Sequence, residues 1–361
     1  MEKNIPLSEI YMDEDQIKAV IDVLESGWFI LGEKVREFEE KFSKEIGTKF
    51  SISVSSGTSA LFLSLLASDI KKGDEVIVPS FSFIATATPI IHAGATPVFV
   101  DIDKTSYNID PSEIESKITN RTKAIMPVHL YGNPAKMDEI KNIASTHDLI
   151  VIEDACQAHG ALYNGKKIGS IGDVGCFSFY PSKIMTVCGD GGMVVTDNEE
   201  IAEKIRLLRD HGRKDKYLHE VIGYNMRSNE IQAALGIKQL EKLPTWITAR
   251  RKIASKYNDL LNDHVITPVE YKNALHVYYM YVIRAKKRDA LQKHLKDLNI
   301  STGIHYPVPI HKQPAIINYM GDNVKLKNTE ECAKTVLSLP MHPKLSNDDI
   351  EYICEKINNF I

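Results

Sequence analysis

One lysine, one aspartate and one turn of small residues in this 361-residue chain could together bind and activate a cofactor. Lys183 ends the aromatic segment 177–183, Asp154 closely follows the apolar run 149–152, and a Ser-Gly-Thr turn occupies 56–58. An amine can form a Schiff base with an aldehyde, and a carboxylate can keep a pyridine nitrogen protonated. A turn that opens a helix can bind phosphate. Pyridoxal phosphate requires these three groups of a protein.

Each feature also has an ordinary structural explanation. Most lysines lie on the surface without a chemical role, an aspartate after a strand can cap a helix or bind a metal, and the turn can simply cap a helix. For Asp154 the cofactor explanation is favoured, because a carboxylate after an apolar run is costly to bury without a charged partner. Lys183 is followed by the glycine-rich segment 189–192, and glycines allow close approach of a backbone to a bound group.

Composition and charge exclude several classes of function. Lys plus Arg is 44 and Asp plus Glu is 48, so the chain lacks the basic character of a nucleic-acid binder. No apolar run approaches the roughly 18 residues of a membrane span. The five cysteines form no Cys-x-x-Cys pair and the N-terminus lacks the apolar core of a signal peptide, which predicts a cytoplasmic protein. The scattered histidines predict no metal site.

Strand-like and helical patterns alternate over the first two-thirds of the chain, which predicts an α/β fold with a largely parallel sheet. In such sheets ligands bind at the carboxyl ends of strands. Asp154, Lys183 and the turn 56–58 all follow strand-like runs and are therefore expected to converge. The predicted strands are 51–54, 75–78, 97–100, 122–128, 149–153, 175–179 and 192–196, and the predicted helices are 15–26, 34–46, 59–68 and 137–147.

The pattern changes near residue 240, which predicts a second, smaller α+β domain. Its predicted elements are a helix over 245–263, a strand over 277–283 and helices over 287–298 and 348–361. The boundaries are a large domain over 1–240 and a small domain over 241–361, with residues 1–25 as a segment that could join the smaller one.

Two nucleotide-binding motifs fail: the P-loop-like spacing at 160–166 is followed by Lys167 instead of Ser or Thr, and no Gly-x-Gly-x-x-Gly follows a strand.

The motifs in chain order resemble those of the DegT/StrS-type aminotransferases, which are fold-type-I pyridoxal-phosphate enzymes acting on nucleotide-linked keto sugars. The resemblance runs nearly from end to end, and so many motifs in family order are very specific. The matching segments include Ile5-Pro6-Leu7-Ser8, Val54-Ser55-Ser56-Gly57-Thr58-Ser59-Ala60-Leu61, Pro79-Ser80-Phe81-Ser82-Phe83, Glu153-Asp154-Ala155-Cys156-Gln157-Ala158-His159-Gly160, Phe177-Ser178-Phe179-Tyr180-Pro181-Ser182-Lys183, Gly223-Tyr224-Asn225-Met226-Arg227 and Gly303-Ile304-His305-Tyr306-Pro307.

The resemblance implies roles around the cofactor. Lys183 would form the Schiff base and transfer the proton, Asp154 would pair with the pyridine nitrogen, and pyridoxamine phosphate would form between the two half-reactions. The remaining cofactor contacts would be Phe83 stacked on the ring, Gln157 on the ring hydroxyl, and Gly57, Thr58 and Ser178 on the phosphate. Asn225 would reach the phosphate from a neighbouring subunit, which implies a homodimer with shared active sites.

On the substrate side the resemblance implies L-glutamate as the amino donor and a nucleotide-linked sugar as the acceptor. Arg227 would pair with the donor carboxylate, or would form only a surface ion pair. His305 and Tyr306 would contact the sugar. Tyr180 would either reach substrate or serve only in packing.

The expected acceptor is a dTDP- or UDP-linked keto-deoxyhexose. Segments 180–182 and 305–307 favour a 3-keto sugar, whereas 184–188, where many C3 enzymes have Asn-Leu-Gly, lies closer to C4 enzymes and leaves a 4-keto sugar as the alternative. A pyridoxamine-dependent dehydratase is disfavoured because such enzymes carry His where this chain has Lys183. A non-catalytic regulatory or ligand-sensing protein would need no such amine.

Overall fold

A seven-stranded mixed sheet forms the core of the larger part of the molecule. The computed structural model describes residues 4–360. The strands are β1 (Phe50–Val54), β2 (Glu75–Pro79), β3 (Thr96–Val100), β4 (Thr122–Ile125), β5 (Ile150–Asp154), β6 (Leu162–Tyr163), β7 (Lys166–Lys167), β8 (Val174–Ser178), β9 (Gly192–Thr196), β10 (Ala274–Leu275), β11 (Tyr281–Arg284) and β12 (Val336–Leu339).

The order of strands in the main sheet is β1-β9-β8-β5-β4-β2-β3. Strands β3, β2, β4, β5 and β8 are parallel neighbours, whereas β9 is antiparallel to both β8 and β1. The predicted α/β fold with a mostly parallel mixed sheet is therefore confirmed. Apart from Lys123 of β4, no residue of the parallel strands is exposed, as expected when helices cover both faces.

Helices cover the sheet and build the smaller part of the molecule. They are α1 (Glu14–Ser26), α2 (Glu33–Ile46), α3 (Gly57–Ala67), α4 (Thr88–His92), α5 (Met137–Thr146), α6 (Glu199–Arg209), α7 (Glu230–Leu260), α8 (Arg288–Asp297), α9 (Pro314–Met320), α10 (Lys327–Thr335) and α11 (Asn347–Asn358). Within residues 4–360, no helix combines the length and the apolar character needed to cross a bilayer.

The first two helices end where the sequence predicts. Gly27 and Gly47 follow α1 and α2 with φ of 69° and 85°, in the left-handed conformation that glycine adopts without steric cost. The backbone N–H of Gly47 donates to Ser43 O and so closes the last turn.

Two predicted elements of the C-terminal region have different bounds. Helix α7 begins at Glu230, capped by Asn229, and continues through Pro244, where the sequence predicted a start at 245. Its N-terminal half is held by packing, because Gly236 lies directly against the ring of Phe38. The predicted strand 277–283 is shortened to β11, since Tyr278 has φ of 48° and cannot belong to a regular strand.

The smaller part of the molecule has its own core, built on the antiparallel pair β11 and β12. The rings of Tyr257 and Tyr281 stack there at 4.7 Å. Ile5 joins this core, and its N–H donates to Asn299 O at 2.9 Å, whereas α1 packs against α7. The N-terminal segment therefore contacts both parts. The predicted boundary between the two domains, at residue 240, falls inside α7 and stays a prediction. Residues 1–3 and 361 of the predicted domains lie outside the described residues.

A buried His–Glu pair fixes the carboxyl end of β5. His129 Nδ1 accepts from the N–H of Ala135 at 3.0 Å, so its Nε2 carries the proton and donates to Glu153 at 3.0 Å. Glu153 also accepts from the N–H groups of Gly169, Ile171 and Gly172. Burial opposes ionisation, but the donors prevail and lower the pKa of Glu153. Because side chains alternate along a strand, Asp154 faces the other side.

Candidate active site

A cavity of about 490 Å³ opens at the carboxyl ends of β1, β5 and β8, where the main sheet meets the smaller core. Side chains of the N-terminal segment and of β12 close its far wall. Most of the residues singled out in the sequence meet here. Those that line the cavity are Gly57, Thr58, Phe83, Asp154, Gln157, Ser178, Tyr180, Lys183, His305 and Tyr306.

One end of the cavity is the N-terminus of α3. Ser56 caps this helix by accepting from the N–H of Ser59 at 3.0 Å. The first N–H groups of a helix have no intrahelical acceptor and carry the positive end of its dipole, so they favour an anion. A Cβ at Gly57 would lie 2.6 Å from the Cβ of Ser178 and 2.9 Å from the Sγ of Cys156. Only glycine allows Ser178 this close to the helix N-terminus, and the result is a cradle suited to phosphate.

Asp154 is 5% exposed and forms part of the cavity wall as the last residue of β5. Its carboxylate accepts from Thr86 Oγ1 at 2.9 Å and from the N–H of Cys156 at 3.3 Å. Both donors are neutral, and no Lys, Arg or His of the described chain lies within ion-pair distance of it. A buried carboxylate without a cation is costly, and a pyridinium nitrogen would satisfy it. The site therefore fits the ring of pyridoxal phosphate as well as its phosphate.

Lys183 reaches the same cavity from the loop after β8. Its backbone N–H donates to Tyr180 O at 2.8 Å, and its Nζ lies 4.7 Å from the centre of the Tyr279 ring. The hydroxyl of Tyr279 lies 3.0 Å from the Oγ of Ser182. An aromatic face attracts an ammonium group, so Tyr279 orients the lysine on one side and its loop on the other.

Gln157 and the pair His305 and Tyr306 form a connected wall. The Oε1 of Gln157 accepts from the N–H of Tyr131 at 2.9 Å, and its Nε2 donates to the hydroxyl of Tyr306 at 3.3 Å. Burial raises the pKa of Tyr306, so its phenol keeps its proton. Burial and the charge of Lys183 lower the pKa of His305 to about 4, so its ring is neutral near pH 7. This wall therefore offers neutral donors and acceptors.

Two aromatic side chains stand at the mouth of the cavity. Phe83 is 56% exposed, and its ring centre lies 6.1 Å from that of Tyr306. Tyr180 is 53% exposed and also lines the cavity, so packing within this chain does not account for its position. Both rings are placed to contact a bound flat ring or a substrate.

Arg227 and Asn225 lie outside the cavity of their own chain. The guanidinium of Arg227 donates to Asp210 Oδ1 at 2.8 Å and to Asn225 Oδ1 at 2.9 Å. Their segment is fixed beside β1, where the N–H of Ser55 donates to Met226 O at 3.0 Å. Within one chain Arg227 therefore forms the ion pair that the sequence left as its alternative explanation.

Sequence reasoning gave no role to Thr86 and Tyr279, which both line the cavity. Neither belongs to a motif with recognisable chemistry. Thr86 lies in the short helical turn after Phe83, so its place could have been suspected from that spacing. Tyr279 comes from the smaller part of the molecule, and only the tertiary fold brings it to Lys183. In the described part of the chain, no three His, Cys, Asp or Glu side chains are grouped to hold a metal ion.

Known proteins with similar sequences and structures cover nearly the whole chain. Residues 10–358 match the model of the DegT/DnrJ/EryC1/StrS aminotransferase family. A pleiotropic regulatory protein of Geobacillus stearothermophilus is 44% identical and covers 99% of this chain and 98% of its own length. The dTDP-3-amino-3,6-dideoxy-alpha-D-galactopyranose transaminase of Aneurinibacillus thermoaerophilus is 44% identical, with 97% and 96% covered.

The fold is also very similar to that of a solved structure. The X-ray structure of DesV from S. venezuelae, in complex with a ketimine intermediate, superposes with a TM-score of 0.96 at 38% identity and covers 99% of this chain and 98% of that one. The family and the fold implied by the sequence motifs are both confirmed. The chain belongs to the DegT/DnrJ/EryC1/StrS family, and it is an aminotransferase that depends on pyridoxal phosphate.

Proposed function

We propose that this enzyme transfers the amino group of L-glutamate to a dTDP- or UDP-linked keto-deoxyhexose, with the 3-keto sugar favoured. The observation that carries the proposal is the single cavity lined by Lys183, Asp154 and the N-terminus of α3. A relative of 44% identity is named as a transaminase of a dTDP-3-amino sugar, which supports position 3. A 4-keto sugar is the alternative. The cytoplasmic location stays a prediction.

In this proposal the chain's own residues position the reactants and move one proton. Pyridoxal phosphate, when bound, supplies the aldehyde that takes up the amino group and the ring that accepts electrons. Lys183 Nζ would take the proton from the amine-bearing carbon of the donor as a general base, and would deliver it as a general acid to the carbon that carried the aldehyde. Asp154 accepts the hydrogen bond of the ring nitrogen, Gly57, Thr58 and Ser178 hold the phosphate, and Phe83 and Gln157 contact the ring.

The wall formed by His305 and Tyr306, with Tyr180 at the mouth, suits a sugar. A neutral imidazole and a protonated phenol both hydrogen-bond hydroxyl and keto oxygens without requiring a charge on the substrate. The open mouth lets the nucleotide extend toward solvent. These contacts support an uncharged sugar ring in the cavity.

The charges of the substrates support a shared site. Glutamate carries carboxylates and the nucleotide sugar carries a diphosphate, yet Lys183 is the only Lys or Arg among the described residues that line the cavity. The surface segment 211–222 holds Arg213, Lys214 and Lys216 together with exposed apolar side chains, Tyr217 at 81% and Ile222 at 93%. Exposed apolar patches of this kind mark interfaces. We infer a homodimer in which this region reaches the partner's cavity.

Two predicted roles depend on that dimer. Asn225 would reach the phosphate of the cofactor in the neighbouring subunit. A role for Arg227 with the donor carboxylate is proposed only across the same interface, because in its own chain the guanidinium pairs with Asp210 outside the cavity.

Replacing Asn225 with alanine is expected to weaken retention of pyridoxal phosphate roughly tenfold, because one hydrogen bond to a charged phosphate is lost. Retention can be measured as the cofactor that remains bound after dialysis at several protein concentrations. Asn142→Ala, at an exposed position of α5, is the matched control and should retain the cofactor like the wild type. Equal retention by Asn225→Ala and the control at every concentration would argue against shared sites.

The substrate is tested by incubating the enzyme and L-glutamate with a panel of dTDP- and UDP-linked 3-keto and 4-keto hexoses. The position of the new amine is read by NMR. Amination at C3 supports the proposal, and amination at C4 selects the alternative. The membership in an aminotransferase family argues against the non-catalytic, ligand-sensing role that the sequence left open.

A further inference from the structure

Thr86 links a buried pair of hydroxyl groups to Asp154. Its Oγ1 lies 2.9 Å from Asp154 Oδ2 and 2.8 Å from the Oγ of Ser82, and both hydroxyl side chains are buried. All three side chains line the cavity. This contact is the shorter of the two that Asp154 makes, since the N–H of Cys156 lies 3.3 Å away.

The direction of the two hydrogen bonds follows from the number of protons. An ionised carboxylate can only accept, and a threonine hydroxyl has a single proton to donate. The proton of Thr86 therefore goes to Asp154, and Thr86 in turn accepts from Ser82. The chain of donors runs from Ser82 through Thr86 to Asp154, and each donor polarises the next.

The backbone holds Thr86 firmly in this place. Ile84–Thr86 forms one helical turn directly after Phe83, and the N–H of Thr86 donates to Phe83 O at 3.0 Å. A β-branched side chain has few rotamers, so the hydroxyl is directed by the turn itself. The same turn thus sets both the ring of Phe83 and the donor to Asp154.

We propose that Thr86 is a positioning residue for Asp154, which it holds ionised and turned toward the ring nitrogen of the cofactor. The proposal rests on the role of Asp154 in the proposed function. Thr86 fixes one carboxylate oxygen, and the remaining lone pairs are left for the cofactor. Both donors to the carboxylate are neutral, so neither competes with the ring nitrogen for its charge.

The loss of cofactor binding at low pH, called here the acid limb of binding, tests this role. The titratable groups that face Asp154 are Lys183, the thiols of Cys156 and Cys176, and the phenol of Tyr306. Burial raises the pKa of both thiols and of the phenol, so these groups stay neutral in acid. His305, whose pKa burial lowers to about 4, also lines the cavity, but it is the same in the wild type and in the variant.

The test measures the affinity of the apo-protein for pyridoxamine phosphate as a function of pH, since this ligand needs no bond to Lys183. Thr86→Val keeps the shape and removes the hydroxyl. Binding near pH 7 should weaken roughly tenfold to a hundredfold. With one donor lost, the carboxylate should hold the ring nitrogen less well in acid, so the pH at which binding is lost should move upward. Thr86→Ser should restore both properties.

Thr329→Val is the matched control. Thr329 is also buried and donates to a carboxylate, Asp101 Oδ1, at 2.8 Å, but it does not line the cavity. It should leave the affinity and its pH dependence unchanged. If Thr86→Val fails to fold, Ser82→Ala replaces it and should shift the acid limb in the same direction by less.

The proposal would be overturned if Thr86→Val binds pyridoxamine phosphate with wild-type affinity and loses it at the same pH as the wild type. The same result in Ser82→Ala would overturn it where that variant replaces Thr86→Val. Asp154→Asn, measured alongside, separates this failure from a failure of the proposed function. If Asp154→Asn loses affinity while Thr86→Val does not, only the role of Thr86 falls. If Asp154→Asn binds like the wild type, the role of Asp154 falls as well.

Discussion

Lys183→Ala is expected to lower turnover by roughly 10⁴-fold or more, because the proposed covalent attachment point and the proposed group that moves the proton are both lost. No second amine can replace it, since Lys183 is the only Lys or Arg among the described residues that line the cavity. Turnover is measured as glutamate-dependent formation of the amino sugar. The phosphate cradle and Asp154 are untouched, so pyridoxamine phosphate should still bind.

That retained binding separates a lost catalyst from a lost fold. Lys166→Ala, at an exposed position of β7, is the control and should turn over like the wild type. Turnover by Lys183→Ala at the wild-type rate would refute the assignment of the catalytic lysine.

Asp154→Asn is expected to lower the rate by about a thousandfold. The amide keeps the size of the side chain and an oxygen that can accept from Thr86, but it has no charge to hold the ring nitrogen protonated. The ring then accepts electrons poorly, and the step that moves the proton slows. Single-turnover kinetics with glutamate measures this step directly.

Asp259→Asn, at an exposed position of α7, provides the comparison and should react at the wild-type rate. Only a few-fold loss in Asp154→Asn would mean that another group keeps the ring nitrogen protonated. No cation of the described chain lies within ion-pair distance of Asp154, so the substitution breaks no ion pair between side chains of the protein itself.

The convergence of the site was predictable because it depends on strand ends. Asp154 and Lys183 each follow an apolar run, and parallel strands place such residues at one edge of the sheet. The bounds of α1 and α2 were predictable for an equally local reason, since Gly27 and Gly47 end them.

Features set by tertiary packing were not predictable. Proline normally ends a helix, so the first half of α7 was missed, although its Gly236 packs closely on Phe38. Tyr279 lies far from Lys183 in sequence and belongs to no motif, and Thr86 becomes informative only when its hydroxyl is seen beside Asp154. The proposed roles of Asn225 and Arg227 would depend on a second subunit, and only the resemblance to the family, not a local pattern in the chain, indicated them.

The most direct test of the central claim is the absorbance spectrum of the purified protein with pyridoxal phosphate, recorded before and after addition of L-glutamate. Pyridoxal phosphate bound through Lys183 should give a band in the visible region, and glutamate should bleach it as the amino group is taken up. A protein that shows no such band, or a band that no amino donor changes, would contradict the account.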